Sequence, residues 1–218
     1  MTKTILFMRP RYDPPTACMH YFSESIIGAI GKEYTIINLE GPKATKENFE
    51  KSIRKGSPRL MVLHGHGDKD SIAGHNGHII LEESNIHLLA STITYAVACD
   101  SAQELGEIAV KKGKADAYIG YEAQFMVVID PTRSSTPSKD KNMKVFIKPY
   151  ATTVLSLVTG RRVKAAIDDT RNVLRSLIRE YGRYGVKDKY GDAPLIRFAL
   201  YWNLIFLKGY GDLSSVVF

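Results

Sequence analysis

Leu60-Met61-Val62-Leu63 runs directly into His64-Gly65-His66-Gly67, and further along Ile93-Thr94-Tyr95-Ala96-Val97-Ala98 runs into Cys99-Asp100-Ser101. Each is a short apolar run that stops abruptly at residues able to do chemistry. Continuous apolar runs of this length are what strands buried on both faces require, and such strands belong to parallel sheets covered by helices.

Outward from these two segments the chain keeps alternating. Thr4 to Met8 is apolar and is followed by a Pro-rich turn, Arg9 to Pro15, and a helical pattern through Tyr21, Ile26, Ile27 and Ile30. Tyr34 to Leu39 reads as a strand and Thr45 to Arg54 as a helix opened by a capping threonine. A hairpin is expected around Asn76-Gly77, a short helix at Ser84 to Leu89, a helix at Ala102 to Lys111 and a strand at Ala117 to Tyr121. The polar loop Asp130 to Lys141 precedes two helices, and Phe198 to Leu207 (FALYWNLIFL) reads as the last strand, with Tyr201, Trp202 and Phe206 in its core. The expected architecture is a single α/β domain, residues 1–218, with a mostly parallel sheet of about six strands and helices on both faces. In such sheets ligands gather at the carboxyl ends of the strands, where both informative segments end.

Composition narrows the function classes. The 218 residues are 44% hydrophobic and 24% charged, which excludes disordered, collagen-like and coiled-coil chains. The net charge is +7, and Lys148 to Lys189 holds ten Lys/Arg against four Asp/Glu. That excess reads as a solvated helical face rather than a nucleic-acid surface. Two cysteines, Cys18 and Cys99, form no disulfide framework, so a reducing cytoplasm is expected. No apolar stretch is long enough for a membrane helix.

Cys99 stands at an expected strand-to-helix turn, where a helix N-terminus lowers a thiol's pKa and favours the nucleophilic thiolate. His64 and His66 end another strand and supply a candidate base, with glycines beside them whose N–H groups can face an oxyanion. His64-Gly65-His66-Gly67-Asp68 also fits an H-x-H-x-D metal pattern. All six histidines fall at or before His87, however, so too few ligands remain for a dinuclear zinc site.

Strand-His-Gly followed by strand-Ala-Cys resembles the caspase-like cysteine peptidases, the clan that includes gingipains, clostripain, separase and CHAT domains. The stretch Gly65-His66-Gly67-Asp68-Lys69-Asp70-Ser71-Ile72-Ala73-Gly74-His75-Asn76-Gly77 is similar to the caspase segment from Ser-His-Gly to Gly-Thr-Asn-Gly. Ala98-Cys99-Asp100-Ser101 looks like the CHAT and caspase Ala-Cys segment, and Leu207-Lys208-Gly209-Tyr210-Gly211-Asp212 like the closing strand-Gly-Asp of CHAT and gingipain-type domains. The likeness spans the chain in element order and about a dozen positions in identity.

The resemblance implies a caspase-like three-layer sandwich and a cysteine endopeptidase with His66 as catalytic base and Cys99 as nucleophile. The N–H groups of Gly67 and Cys99 would form the oxyanion hole, and His64 would point to the other side of its strand end. No third orienting residue is required. Substrate-binding candidates are Arg11, Asp13 and Asp100, with Arg9 also in the segment that lines the primary pocket of caspases; the sequence does not choose among them. Val97 replaces the aspartate of metacaspases and clostripain, and Val-Ala-Cys-Asp-Ser replaces the caspase Gln-Ala-Cys-Arg-Gly. Neither a basic nor an acidic specificity therefore transfers. The expected partners are a protein or peptide substrate and an activating protein, with no cofactor, metal, membrane or nucleic acid. The loop of residues 130–144 is expected to be an activation or processing loop. The alternative is a catalytically silent scaffold or binding module.

Overall fold

The computed structural model describes residues 3–133 and 136–218. Six strands form one sheet: β1 (Lys3–Arg9), β2 (Tyr34–Glu40), β3 (Leu60–His64), β7 (Ile93–Val97), β8 (Ala117–Tyr121) and β9 (Leu207–Gly211), in the order β2-β1-β3-β7-β8-β9. All pairs are parallel except β8 with β9. A small antiparallel sheet, β4 (Gly67–Asp68), β5 (Ser71–Ala73) and β6 (Ile79–Leu81), follows β3 and contains the hairpin at Asn76-Gly77.

The apolar strands are buried on both faces because each face has its own helices. Ile5, Phe7, Leu60, Val62, Ile93, Tyr95 and Val97 pack with α1 (Pro14–Ala29), α4 (Met143–Val158) and α5 (Val163–Glu180). Their alternating neighbours Leu6, Met8, Met61, Leu63 and Ala96 pack with α2 (Lys46–Gly56) and α3 (Leu105–Lys111). The result is an α/β protein with a three-layer arrangement. A third cluster joins α4 and α5 to α6 (Ala193–Phe206) through Phe146, Leu174, Ile196 and Leu200. No helix among the described residues is long and apolar enough to cross a membrane.

Two elements differ from expectation. Phe198 to Phe206 is helix, and the strand begins only at Leu207. The buried positions Ala193, Ile196, Ala199, Leu200 and Asn203 follow the helical period, so a dense apolar run hides a 3.6 repeat. Tyr201 is exposed and Trp202 and Phe206 are half-buried, so none of the three is strand core. Three helices, not two, thus follow the loop. Helix α3 also begins at Leu105 rather than Ala102, because residues 101–104 turn back onto β8: the Ala102 N–H donates to the Tyr121 carbonyl at 3.0 Å.

The expected loop of residues 130–144 has one-turn 3-10 helices at Pro131–Arg133 and Pro137–Lys139, while Ser134 and Ser135 lie outside the described residues. Its far end is anchored by the fully buried Asp140 carboxylate, which accepts from the N–H groups of Asp130, Asn142 and Met143.

The helical placement of α6 gives a direct stability test. Leu200→Ala should cost about 3 kcal/mol and Tyr201→Ala less than about 0.5 kcal/mol, both read by chemical denaturation. A larger loss at Tyr201 would restore the strand.

Candidate functional site

Parallel pairing of β1, β3 and β7 brings three chain segments to one edge of the sheet. His64 stands opposite Val97 in the β3/β7 register, so the glycine turn after β3 lies against Ala98 and Cys99 after β7. The contact leaves no room for a side chain at Gly67, where a Cβ would sit 2.4 Å from the Cys99 carbonyl oxygen. Gly65 turns the chain at φ +149°, and a Cβ there would lie 2.0 Å from the Ala73 carbonyl oxygen. The turn can therefore form only with glycine at both places.

On this edge Cys99 and His66 line one cavity of about 380 Å³. Cys99 is half-buried, whereas the His66 side chain is 48% exposed. His64 does not reach the cavity. It is buried on the opposite side of the turn, where its Nε2 and the Tyr150 hydroxyl share a 2.8 Å hydrogen bond. Burial, then the charges of Arg9 and His20, pushes its pKa down to about 3. A ring held neutral in this way is a poor base at neutral pH.

Asp13, expected from the sequence as a substrate-binding candidate, instead contacts the site histidine. The His66 Nε2–H donates to Asp13 Oδ2 at 2.5 Å. The other oxygen of the same carboxylate, Oδ1, caps α1 by accepting from the Thr16 N–H at 3.0 Å and the Thr16 hydroxyl at 2.6 Å. Partial burial pushes this carboxyl up, but the hydrogen bonds from Thr16 and His66 outweigh it and hold Asp13 below the usual carboxylate range. Tyr12 meets the His66 ring edge-on, with centroids 6.0 Å apart. Asp13 is thus held between Thr16 and His66. Its signal in the sequence was Asp13-Pro14-Pro15-Thr16, an N-cap with prolines in the first helical turn.

The electrostatics of Cys99 also differ from expectation. Burial raises its pKa; the N–H groups of Phe125 and of Cys99 itself pull the other way, and Asp100 adds to the rise. No helix N-terminus offsets this. The Glu104 and Leu105 N–H groups at the start of α3 both donate to the Lys69 carbonyl, at 3.0 and 2.8 Å. A thiol pushed up in this way favours its protonated form. Cys18, the other thiol, is buried on α1 and is likewise pushed up, by burial and then by Asp140.

The substrate-binding candidates separate. Arg9 is fully buried and spends its donors on the Ser23 hydroxyl, Asn38 Oδ1, the His20 carbonyl and Glu24 Oε2. Arg11 lines two neighbouring cavities beside His20 instead of the one at Cys99. Asp100 adopts a left-handed backbone (φ 57°), and its carboxylate accepts from Gln103 Nε2 at 2.9 Å. Neither Arg9, Arg11 nor Asp100 lines the Cys99 cavity. Its walls come from the start of α1 (Pro15, Thr16, Met19), the end of β7 (Val97, Ala98) and the extended segment Gln124 to Ile129. Helix α6 holds that segment: Asn203 Oδ1 accepts from the Met126 N–H at 2.9 Å, Asn203 Nδ2 donates to the Met126 carbonyl at 2.7 Å, and Trp202 Nε1 donates to the Gln124 carbonyl at 3.0 Å.

Compared with models of known protein families and with curated protein sequences, the chain finds no match.

The charge state of Cys99 gives a pH test. Its thiolate fraction rises as pH climbs through a raised pKa, so iodoacetamide labelling of Cys99 in the free protein should still be increasing above the range of an ordinary cysteine. A plateau already reached at neutral pH would show a thiolate stabilised at rest.

Proposed function

We propose that this chain is a caspase-like cysteine endopeptidase that hydrolyses peptide bonds through Cys99 and His66. The observation that carries the reading is the single cavity lined by a half-buried thiol and by a histidine whose far nitrogen is held by a carboxylate. The order of the residues in the chain and the glycine turn between His66 and Cys99 agree with it.

In this reading the Asp13 hydrogen bond fixes the His66 tautomer, placing the proton on Nε2 and leaving Nδ1 as the base. His66 takes the Cys99 proton as sulfur attacks the peptide carbonyl carbon. The N–H groups of Gly67 and Cys99 receive the developing oxyanion. The tetrahedral adduct then collapses, the C–N bond breaks, and His66 passes its proton to the leaving amine. Water attacks the thioester, gives a proton to His66, and the carboxylic acid leaves as the thiol is restored. The raised pKa of Cys99 supports a proton transfer that accompanies attack over a thiolate stored at rest. An activating partner, ligand or cleavage of the loop of residues 130–144 would act on the same edge of the molecule, since that loop continues from the cavity wall.

A second reading, a silent scaffold, is favoured by one feature. Leu195, Phe198, Tyr201 and Ile205 form an exposed apolar stripe on α6, as a docking module would present.

Substitution separates the two. Cys99→Ala should abolish peptide cleavage, and His66→Ala should lower it by roughly 10²–10⁴-fold. Asp13→Asn keeps a good helix cap and should leave stability nearly unchanged while slowing turnover at least about tenfold; Asp13→Ala should in addition cost about 1 kcal/mol of stability. Cleavage unaffected by Cys99→Ala would rule the peptidase reading out.

A further inference from the structure

The wall of the Cys99 cavity is apolar, and the charged residues nearest to it are already committed. Among its described lining residues there is no Lys, Arg, Asp or Glu. Met19, Val97, Phe125, Met126, Val127 and Ile129 are among the apolar side chains that line it beside the sulfur. The Arg9 side chain is 0% exposed and paired with Glu24 at 2.5 Å, so no guanidinium reaches out to receive a carboxylate. Asp13, on the His66 side, is divided between Thr16 and His66, and Asp100, whose charge bears on Cys99, accepts from Gln103 Nε2 and lines no part of the cavity.

A charged side chain placed here would lose its water without gaining a counter-ion, which is strongly unfavourable. An apolar one would lose only ordered water. The volume of about 380 Å³ lies in the range of pockets that enclose a ligand and is ample for a large side chain.

From this we infer that the enzyme cleaves after bulky apolar residues, such as Leu, Met or Phe, whose side chain fills the cavity between α1 and the segment Gln124 to Ile129. The inference rests on the reading of Cys99 as the nucleophile. It sets this chain apart from both the acidic and the basic specificities that the replacements at Val97 and Asp100 had left without support.

Four peptidyl acyloxymethyl ketones, identical except for Leu, Phe, Asp or Lys next to the electrophile, test it on the full chain, with Cys99→Ala as control and adducts mapped by mass spectrometry. In parallel, a proteome-derived peptide library is digested and the new termini are read. Labelling of Cys99 should be about a hundredfold faster for the Leu and Phe probes than for the Asp and Lys probes, and the new carboxyl termini should be apolar. Cys99-dependent labelling or cleavage that prefers Asp or Lys would overturn the inferred pocket and leave the peptidase reading standing. Absence of both labelling and cleavage would overturn both. Ile129→Asp supplies a second readout at a half-buried wall position: it should shift the preference about tenfold from Leu toward Lys. An unchanged preference in a folded Ile129→Asp protein would show that the side chain binds elsewhere.

Discussion

One carboxylate ties the fold to the site. Asp13 stands where β1 has ended and α1 begins, and its two oxygens serve two structures at once. Oδ1 satisfies the N-terminus of α1 through Thr16, and Oδ2 receives the His66 N–H. Were the helix to start a residue earlier or later, the carboxylate would turn away from His66. The cap of a helix thereby also holds a ring that follows another strand, and the prolines at positions 14 and 15 fix where that helix starts.

The rest follows from strand order. β1, β3 and β7 are adjacent and parallel, so the segments that follow them meet on the same edge: Asp13 after β1, His66 after β3 and Cys99 after β7. Parallel pairing requires long crossovers between strands; β3 reaches β7 through the small antiparallel sheet and a 3-10 helix, while α1 to α5 bury the two faces of the large sheet. Gly67 lets the turn after β3 press against the Cys99 backbone, and Gly65 lets it pass the Ala73 carbonyl, contacts no larger residue permits. Packing then sets the chemistry of the thiol: burial disfavours the thiolate, and in the proposed peptidase reading its activation falls to His66, which lines the same cavity.

Much of this was legible in the sequence because buried parallel strands are continuous apolar runs, and their ends are marked by the residues that interrupt them. His64 to Gly67 and Cys99 to Ser101 were visible for that reason, whereas the opposite placement of His64 and His66 was implied only by the resemblance. The Asp13 contact was not, since a capping residue and a turn residue look alike until the helix start is fixed. Helix α6 was misread because Phe198 to Leu207 is apolar throughout, and its exposed Phe198, Tyr201 and Ile205 mask the buried period of Ala199, Leu200 and Asn203. With α6 hidden, so was the support that Asn203 and Trp202 give to the cavity wall. The helix expected to begin at Ala102 failed for a related reason: the carbonyls of Tyr121 and Ala123, distant in sequence, capture the N–H groups of Ala102 and Asp100.

The central claim is that Cys99 forms a covalent acyl intermediate. Rapid acid quenching of the full chain during turnover of a leucyl peptide thioester, followed by peptide mapping, measures this directly. An acyl group is expected on Cys99, removable by neutral hydroxylamine, and none on the buried Cys18. Turnover with no acyl group on Cys99, or with the acyl group on Cys18 instead, would contradict it.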